Sequence, residues 1–424
     1  MAYIAPFRAL RYDTDRAGEL GELCCPPYDI ISPVGQAALE AQSPYNVIRL
    51  ERPLGEDRYR RAGETLRRWL SDGILRRDGD PAYYVCRMDF AEGGAPRSVY
   101  GFFARVGLEP FGQGSVLPHE ETLSKDKSDR FSLMEQTFCN ISPIYGLYSD
   151  PTGGADARLR AAMSAPPESA FTDGDGVTHS LWTVTDPIAQ AALTGALADR
   201  RIYLADGHHR YETALSFFEA KRRSHVPLAG DPLGGVLMML VALDHPGLVV
   251  WPTHRLVHGL PDFDPNALTA ALAEDFTVTP CLAEPEALAA ALAASPRTVG
   301  LYSGGPAALL LTLRNPEAIR QALPHKSDAY RALEVSLLHA LILEPRLGIG
   351  RAQLADQTYL TYTRSLPEAL DGVRGGGHQC AFLLPSTPVP MIGTVADAGE
   401  RMPQKSTYFY PKLATGLVIN PLDD

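Results

Sequence analysis

The segment Leu204-Ala205-Asp206-Gly207-His208-His209-Arg210-Tyr211-Glu212-Thr213-Ala214 constrains this chain more than any other stretch. A short apolar run, Ile202-Tyr203-Leu204, leads into it, and a helical pattern from Tyr211 to Arg223 follows. The spacing predicts a strand that feeds a helix through a turn carrying one acid, one glycine, two imidazoles and one guanidinium. A helix start presents backbone N–H groups that the helix itself cannot pair, and its dipole favours negative charge there. Gly207 allows the backbone to approach a phosphate closely. Arg210 carries the planar fork that clamps one.

The 424 residues are enough for two or three domains, and 45% hydrophobic with 21% charged residues is ordinary for a globular protein. A formal charge of -11 argues against nucleic acid as a partner, because non-specific grip on phosphate backbones needs a basic face. The cysteines, Cys24, Cys25, Cys86, Cys139, Cys281 and Cys380, include no Cys-x-x-Cys pair and no zinc spacing, which predicts free thiols in a reducing cytoplasm. No apolar run is long enough for a membrane span, the longest being Val236 to Leu243, and the N-terminus lacks a secretory core. The expected location is cytoplasmic, with no membrane partner.

Periodicity predicts a mixed α/β fold. Asn46 to Leu50 has a strand pattern. Tyr59 to Leu75 has an amphipathic helical one, with Ala62, Leu66, Trp69 and Leu70 on one face. Ala82 to Met88 and Ser98 to Val106 predict paired strands joined by the turn-rich Glu92-Gly93-Gly94-Ala95-Pro96. Asn140 to Tyr148 predicts a buried strand, and residues 151–177, rich in Gly, Pro, Ala and Asp, a surface insertion. Further strands are expected at Gly235 to Leu243 and Leu248 to Trp251. Residues 259–326 predict a compact α+β module: helices at Asn266 to Asp275 and Glu284 to Ala294, strands at Thr298 to Tyr302 and Ala308 to Leu313. Leu333, Leu337, Leu338 and Leu341 mark a buried helix, and the glycines from Gly372 to Gly377 a flexible loop. Pro26-Pro27-Tyr28-Asp29 is a rigid turn.

Three polar groups stand apart from the folding pattern: Pro118-His119-Glu120-Glu121-Thr122 with Lys125, Lys127, Asp129 and Arg130 after it; the Asp206–Arg210 turn; and Lys405 to Lys412. A carboxylate, a phosphate-binding turn and extra cations are the parts that phosphoryl transfer needs, since that reaction runs on positioning and charge stabilisation. Adjacent His208 and His209 suit phosphate better than a metal, because catalytic zinc motifs space their histidines by a helical turn. Lys405-Ser406-Thr407 matches the end of a Walker loop but follows no Gly-x-x-x-x-Gly, so a P-loop is rejected.

Several motifs together carry a resemblance. Pro6-Phe7-Arg8-Ala9-Leu10, Pro26-Pro27-Tyr28-Asp29-Ile30-Ile31, His119 to Thr122, Asp129-Arg130, Ser142 to Tyr148, Ala205 to Ala214 and Met402 to Lys412 resemble a widespread bacterial family known as domain of unknown function number one thousand and fifteen. More distantly, Pro118-His119-Glu120-Glu121 with Asp206-Gly207-His208-His209-Arg210 is similar to the free-serine kinases of the ParB/sulfiredoxin superfamily. That second resemblance implies a nucleotide-binding core over residues 111–258, between an N-terminal α/β segment, 1–110, and the 259–326 module. Residues 327–424 form a C-terminal helix and strand segment completing the site. It implies Glu120 as catalytic base, with Glu121 its rival. Gly207, His208, His209 and Arg210 would hold nucleotide phosphates, and Asp206 and His209 would act in catalysis.

The expected function is a phosphotransferase acting between ATP or ADP and free L-serine, or a similar small hydroxy compound. The reverse direction, phosphoserine dephosphorylation with ATP formation, is equally open to such a centre. Mg²⁺ is the expected ion, near Asp206 or Glu120, with Asp206 otherwise a helix cap. His119, Thr122, Lys127, Arg130 and Lys405, together with Lys125 and Lys412, are further candidates for phosphate or carboxylate contacts. The alternative is a nucleotide-sensing, ParB-like regulator or slow NTPase without a small-molecule acceptor.

Overall fold

The computed structural model describes residues 2–121, 127–222 and 231–423. It is of the mixed α/β class and divides into two compact units, one of residues 1–118, 122–249 and 409–424, the other of 119–121 and 250–408.

The first unit is built on a sheet of nine described strands: β1 (Ile4–Ala5), β2 (Tyr83–Glu92), β3 (Ala95–Gly107), β4 (Val116–Pro118), β5 (Ile144–Tyr148), β6 (Ser169–Thr172), β7 (Thr178–Val184), β8 (Ile202–Asp206) and β9 (Gly235–Ala242). They lie in the order β4-β8-β5-β9-β3-β2-β7-β6, with β1 alongside β3. β4 runs parallel to β8 and β5 parallel to β9, and the other pairs are antiparallel. The predicted hairpin of β2 and β3 forms with Glu92 opposite Ala95. Gly93 and Gly94 supply its two-residue turn, both with positive φ (57° and 79°), as a turn matched to strand twist requires. β9 is buried from Gly235 to Val241, which explains its unbroken apolar run. Each buried Val, Leu or Met there contributes at most about 1.5–3 kcal/mol.

One reading of this unit is corrected. Asn46 to Leu50 is not a strand. Ile48–Glu51 forms a short helix, α1. Asn46 Oδ1 accepts the N–H of Ile48 at 3.0 Å while its amide donates to Glu22 O at 2.6 Å, and this local capping outweighs the β-branched pattern. The surface insertion expected over 151–177 is mostly exposed. It contributes a helix, Gly154–Ala162, whose Ala155 and Leu159 are buried, and the edge strand β6.

Helices α2 (Arg58–Ser71) and α3 (Lys127–Thr137) pack together, with Ala62, Gly63, Leu66 and Trp69 buried on α2. Leu70, expected on that face, is 37% exposed. Helix α4 (His208–Arg222) follows β8 as the sequence predicts. The C-terminal segment returns to this unit. Thr415 bridges Cys25, Ile419 bridges Leu10, and Asn420–Pro421 pair with Asn140 and Cys139. All six cysteines are free.

The second unit holds a six-stranded antiparallel sheet of β10 (His254–Val257), β11 (Phe276–Leu282), β12 (Thr298–Tyr302), β13 (Ala307–Leu313), β14 (Leu360–Thr363) and β15 (Cys380–Leu383), ordered β11-β13-β12-β15-β10-β14. The two predicted alanine-rich helices form at Pro265–Leu272 and Pro285–Ala294. The leucine-marked helix begins at Glu334–Leu337, continues through a π-helical turn, Leu338–Leu343, and ends as Glu344–Leu347. Gly372 is not in a loop but in the helix Leu366–Arg374, whose Ala369, Leu370 and Val373 are buried. Among the described residues no helix is long and apolar enough to cross a membrane.

Gly63 allows a sharp test. A Cβ there would sit 2.5 Å from Gln136 O of α3. Helix propensity alone makes Gly→Ala stabilising by about 1 kcal/mol. The backbone clash reverses the sign, so Gly63→Ala is expected to destabilise by about 1–2 kcal/mol in urea unfolding. A midpoint equal to or above wild type rejects this packing.

Candidate functional site

The Asp206–Arg210 turn takes its shape from the end of β8. The ladder between β8 and β5 pairs Leu204 with Gly146 and then Asp206 with Tyr145, leaving Ala205 as a bulge. Such a bulge re-aims the next side chain, here that of Asp206. Gly207 follows with φ +90°, in the region that L side chains rarely adopt. A Cβ on Gly207 would lie 3.0 Å from Arg210 Nε, so the guanidinium folds back over the glycine.

Asp206 is the charge centre of this turn. Its Oδ2 accepts from Arg210 Nη2 at 3.2 Å and stands 3.4 Å from Lys412 Nζ. Burial raises the carboxyl's pKa, but Lys412, Arg210 and His208 outweigh it and hold the group well below the usual carboxylate range. Arg210 also donates to Pro143 O, and its side chain is only 10% exposed. Among the expected roles of Asp206, the geometry here is that of an anchor for two cations.

A second layer surrounds Arg210. Asp206, Asp29, Tyr28 and Glu51 together outweigh burial and raise the Arg210 pKa. The Arg130 guanidinium carbon lies 4.2 Å from the centre of the Tyr28 ring. Arg130 donates to Glu51 Oε1 at 3.2 Å and to Asp129 Oδ2 at 2.9 Å, and Ser142 donates to Glu51. Glu51 is 3% exposed, and burial pushes its pKa up despite Arg130. The structure thus brings Arg130 and the Pro26–Asp29 turn into the surroundings of Arg210. Glu51 carries no sequence signal, because a lone glutamate at a helix end looks like surface. Thr122 and Lys125 lie outside the described residues, as does the side chain of Lys127.

Glu120 belongs to the second unit. β4 ends at Pro118, and the chain runs on into a short parallel bridge. Met402 N donates to His119 O at 2.7 Å, and Glu121 N to Met402 O at 3.2 Å. This bridge delivers the Lys405 segment to the carboxylate. Lys405 has φ +57°, and its N–H donates to Glu120 Oε1 at 2.7 Å. His119, 1% exposed, pairs Nε2 with Thr407 Oγ1 at 2.7 Å and lies 3.8 Å from Glu120 Oε2. Arg255 completes the setting. It is buried, donates to Gln404 O at 3.1 Å and Lys405 O at 3.0 Å, and burial lowers its pKa to about 10 while Tyr362 and Glu120 oppose that shift. Lys405 therefore meets Glu120 through its backbone. Arg255 was not foreseen, since one arginine in a strand gives no pattern.

Neither carboxylate considered for Mg²⁺ sits in a resident metal site. Among the described residues no three His, Cys, Asp or Glu groups converge, and Asp206 already faces two cations. The donor set does not fit an all-protein cage, though magnesium more often arrives on phosphate oxygens.

A family model described as "Protein of unknown function (DUF1015)" matches residues 4–336. No curated protein matches the sequence. Among solved structures the chain is similar to C-terminally truncated SbnI from Staphylococcus aureus (12% identity, 76% of this chain and 87% of that one, TM-score 0.37). It is also similar to variants of a free serine kinase in complex with AMP (12%, 72% and 89%, TM-score 0.36) and with ADP (14%, 72% and 89%, TM-score 0.35).

The Lys412–Asp206 pair has a pH signature. Lys412→Met removes a cation from a depressed carboxylate and is expected to cost about 1–2 kcal/mol at pH 7. A depressed carboxylate contributes its stability above the unfolded pKa of about 3.9 and loses it as pH falls through the folded value, so the gap between variant and wild type begins to narrow below about pH 4 and closes only below the folded value. Urea midpoints at pH 7, 5 and 3 measure this; a gap independent of pH rejects the coupling.

Proposed function

We propose a function for this chain, which belongs to the DUF1015 family of proteins of unknown function, from the chemistry of its own residues: phosphoryl transfer between ATP or ADP and the hydroxyl of free L-serine or a similar small hydroxy compound. The observation that carries the proposal is the Asp206–Arg210 turn, where Gly207, a helix start and the cations Arg210 and Lys412 concentrate positive potential in a chain of net charge -11. The residue-level resemblance to free-serine kinases supplies the acceptor.

On this reading the N–H groups of residues 207–210, with His208 and His209, hold the nucleotide phosphates, and Asp206 fixes Arg210 and Lys412 in place. Glu120 accepts the hydroxyl proton as the oxygen attacks the terminal phosphorus. The new O–P bond replaces the bond to the nucleotide's bridging oxygen, which leaves with the electron pair. The Lys405 N–H orients Glu120, and the Arg255 side chain holds the Gln404 and Lys405 carbonyls beside it. Run backwards, the same steps move phosphate from phosphoserine to the nucleotide. Magnesium accompanies the nucleotide, and no step here depends on a protein ligand to it.

Purified protein with Mg²⁺, L-serine and ATP or ADP is expected to form phosphoserine, followed by mass spectrometry. Glu120→Gln lowers turnover by about 10²–10⁴-fold while nucleotide binding by calorimetry is retained. Gly207→Ala, strained at φ +90°, weakens nucleotide binding instead. The proposal fails if no hydroxy amino acid turns over in either direction with any nucleotide. Nucleotide hydrolysis without an acceptor would favour a slow NTPase.

A further inference from the structure

The second unit contains a cavity of about 190 Å³ whose wall includes Glu121, Ser336, His339, Glu344, Arg351 and Gln404. None of these has a role in the transfer described above. One polar atom of the wall, His339 Nε2, is shielded from solvent and has no hydrogen-bond partner, while Ser336 interacts with the Tyr330 hydroxyl of the same wall. Leaving such an atom unpaired costs about 1–3 kcal/mol, and His339 is part of the cavity wall. His339 lies in the π-helical turn Leu338–Leu343, a distortion that recurs at functional sites. Burial and the Arg255 charge lower its pKa to about 3, so it is a neutral hydrogen-bonding group at physiological pH.

The charges of the wall are opposed. Arg351 Nη2 is 3.4 Å from Glu121 Oε2, looser than a tight ion pair, and its side chain is 84% exposed. Glu344 packs its carboxylate beside Gly350, where a Cβ would lie 3.7 Å from Oε1. A free phosphate would meet two carboxylates here. An apolar ligand would leave the opposed charges of Arg351, Glu121 and Glu344 without partners on the ligand. A small zwitterion matches both charges: an ammonium toward Glu121 and Glu344 and a carboxylate toward Arg351, with its hydroxyl left for Glu120.

The cavity also adjoins the Glu120 setting. Glu121 is the next residue, and Gln404 precedes the Lys405 N–H that Glu120 accepts. Arg255, whose charge acts on His339, donates to Gln404 O and Lys405 O. We propose that this cavity is the acceptor pocket and takes the head group of a free α-amino acid, with Arg351 and Glu344 recognising its two charges. The proposal rests on the phosphotransfer reading of Glu120.

The test uses the full chain and three probes: L-serine, L-serinamide, which lacks the carboxylate, and 3-hydroxypropionate, which lacks the ammonium. Arg351→Ala, at an exposed position, is expected to raise the KM for L-serine about tenfold or more, with the nucleotide KM unchanged and the KM for serinamide unmoved. Glu344→Gln does the same for L-serine and spares 3-hydroxypropionate. L-Serine KM values that stay at wild-type level in both variants, while wild type turns over, overturn the pocket and leave the phosphotransfer reading intact. Absence of turnover together with L-serine binding that Arg351→Ala abolishes supports the pocket and removes the reading. Absence of both turnover and L-serine binding overturns both.

Discussion

Asp206 is the pivot of the first unit's chemistry because it is a single carboxylate set against two cations, Arg210 and Lys412. Without it, two positive charges beside a helix start would repel each other. With it, they are held together and still leave the turn net positive, with His208 adding to the same side when protonated. Everything placed around that turn serves the arrangement. The bulge at Ala205 aims the carboxylate, Gly207 gives the guanidinium room to fold back, and Arg130, Glu51 and Tyr28 form a backing of opposed charges. Asp206 remains a strong anion in spite of its burial, whereas Glu51, which feels Arg130 and Arg210 but is more deeply enclosed, has its pKa pushed upward.

Glu120 is held differently. Its donor is a backbone N–H at Lys405, a residue in left-handed conformation, with the buried Arg255 guanidinium pinning the carbonyls of Gln404 and Lys405. A backbone donor has no rotamers to lose, so the carboxylate is oriented at little entropic cost. Asp206 thus faces side-chain cations, whereas Glu120 accepts a main-chain N–H.

Local order was largely legible. The β2–β3 hairpin follows from strand alternation around Gly93-Gly94, and the strand–turn–helix at Asp206 from an abrupt change of period. What failed was where a side chain overrode the pattern, as Asn46 did in capping Ile48, or where small and acidic residues concealed a packed helix, as in 154–162. Long-range partners left no trace. Nothing near Lys412 announces Asp206, nothing near Met402 announces the bridge to His119, and a π-helical turn differs from an α-helical one by an insertion that leucine spacing does not reveal. Tyr28 and Asp29, seen only as a rigid turn, gain meaning from Arg130 and Arg210 alone.

The return of residues 409–423 to the first unit has a consequence for how the protein is made. Cys25, Leu10 and Asn140 wait for Thr415, Ile419 and Asn420, and Asp206 waits for Lys412. Residues 250–408 must be translated in between, which takes on the order of ten seconds. During that interval the nascent first unit carries unpaired strand edges and a cation site lacking one of its members. The charge cluster at Asp206 is assembled only at the end of synthesis, so a truncated product would carry the turn in sequence without Lys412 beside it.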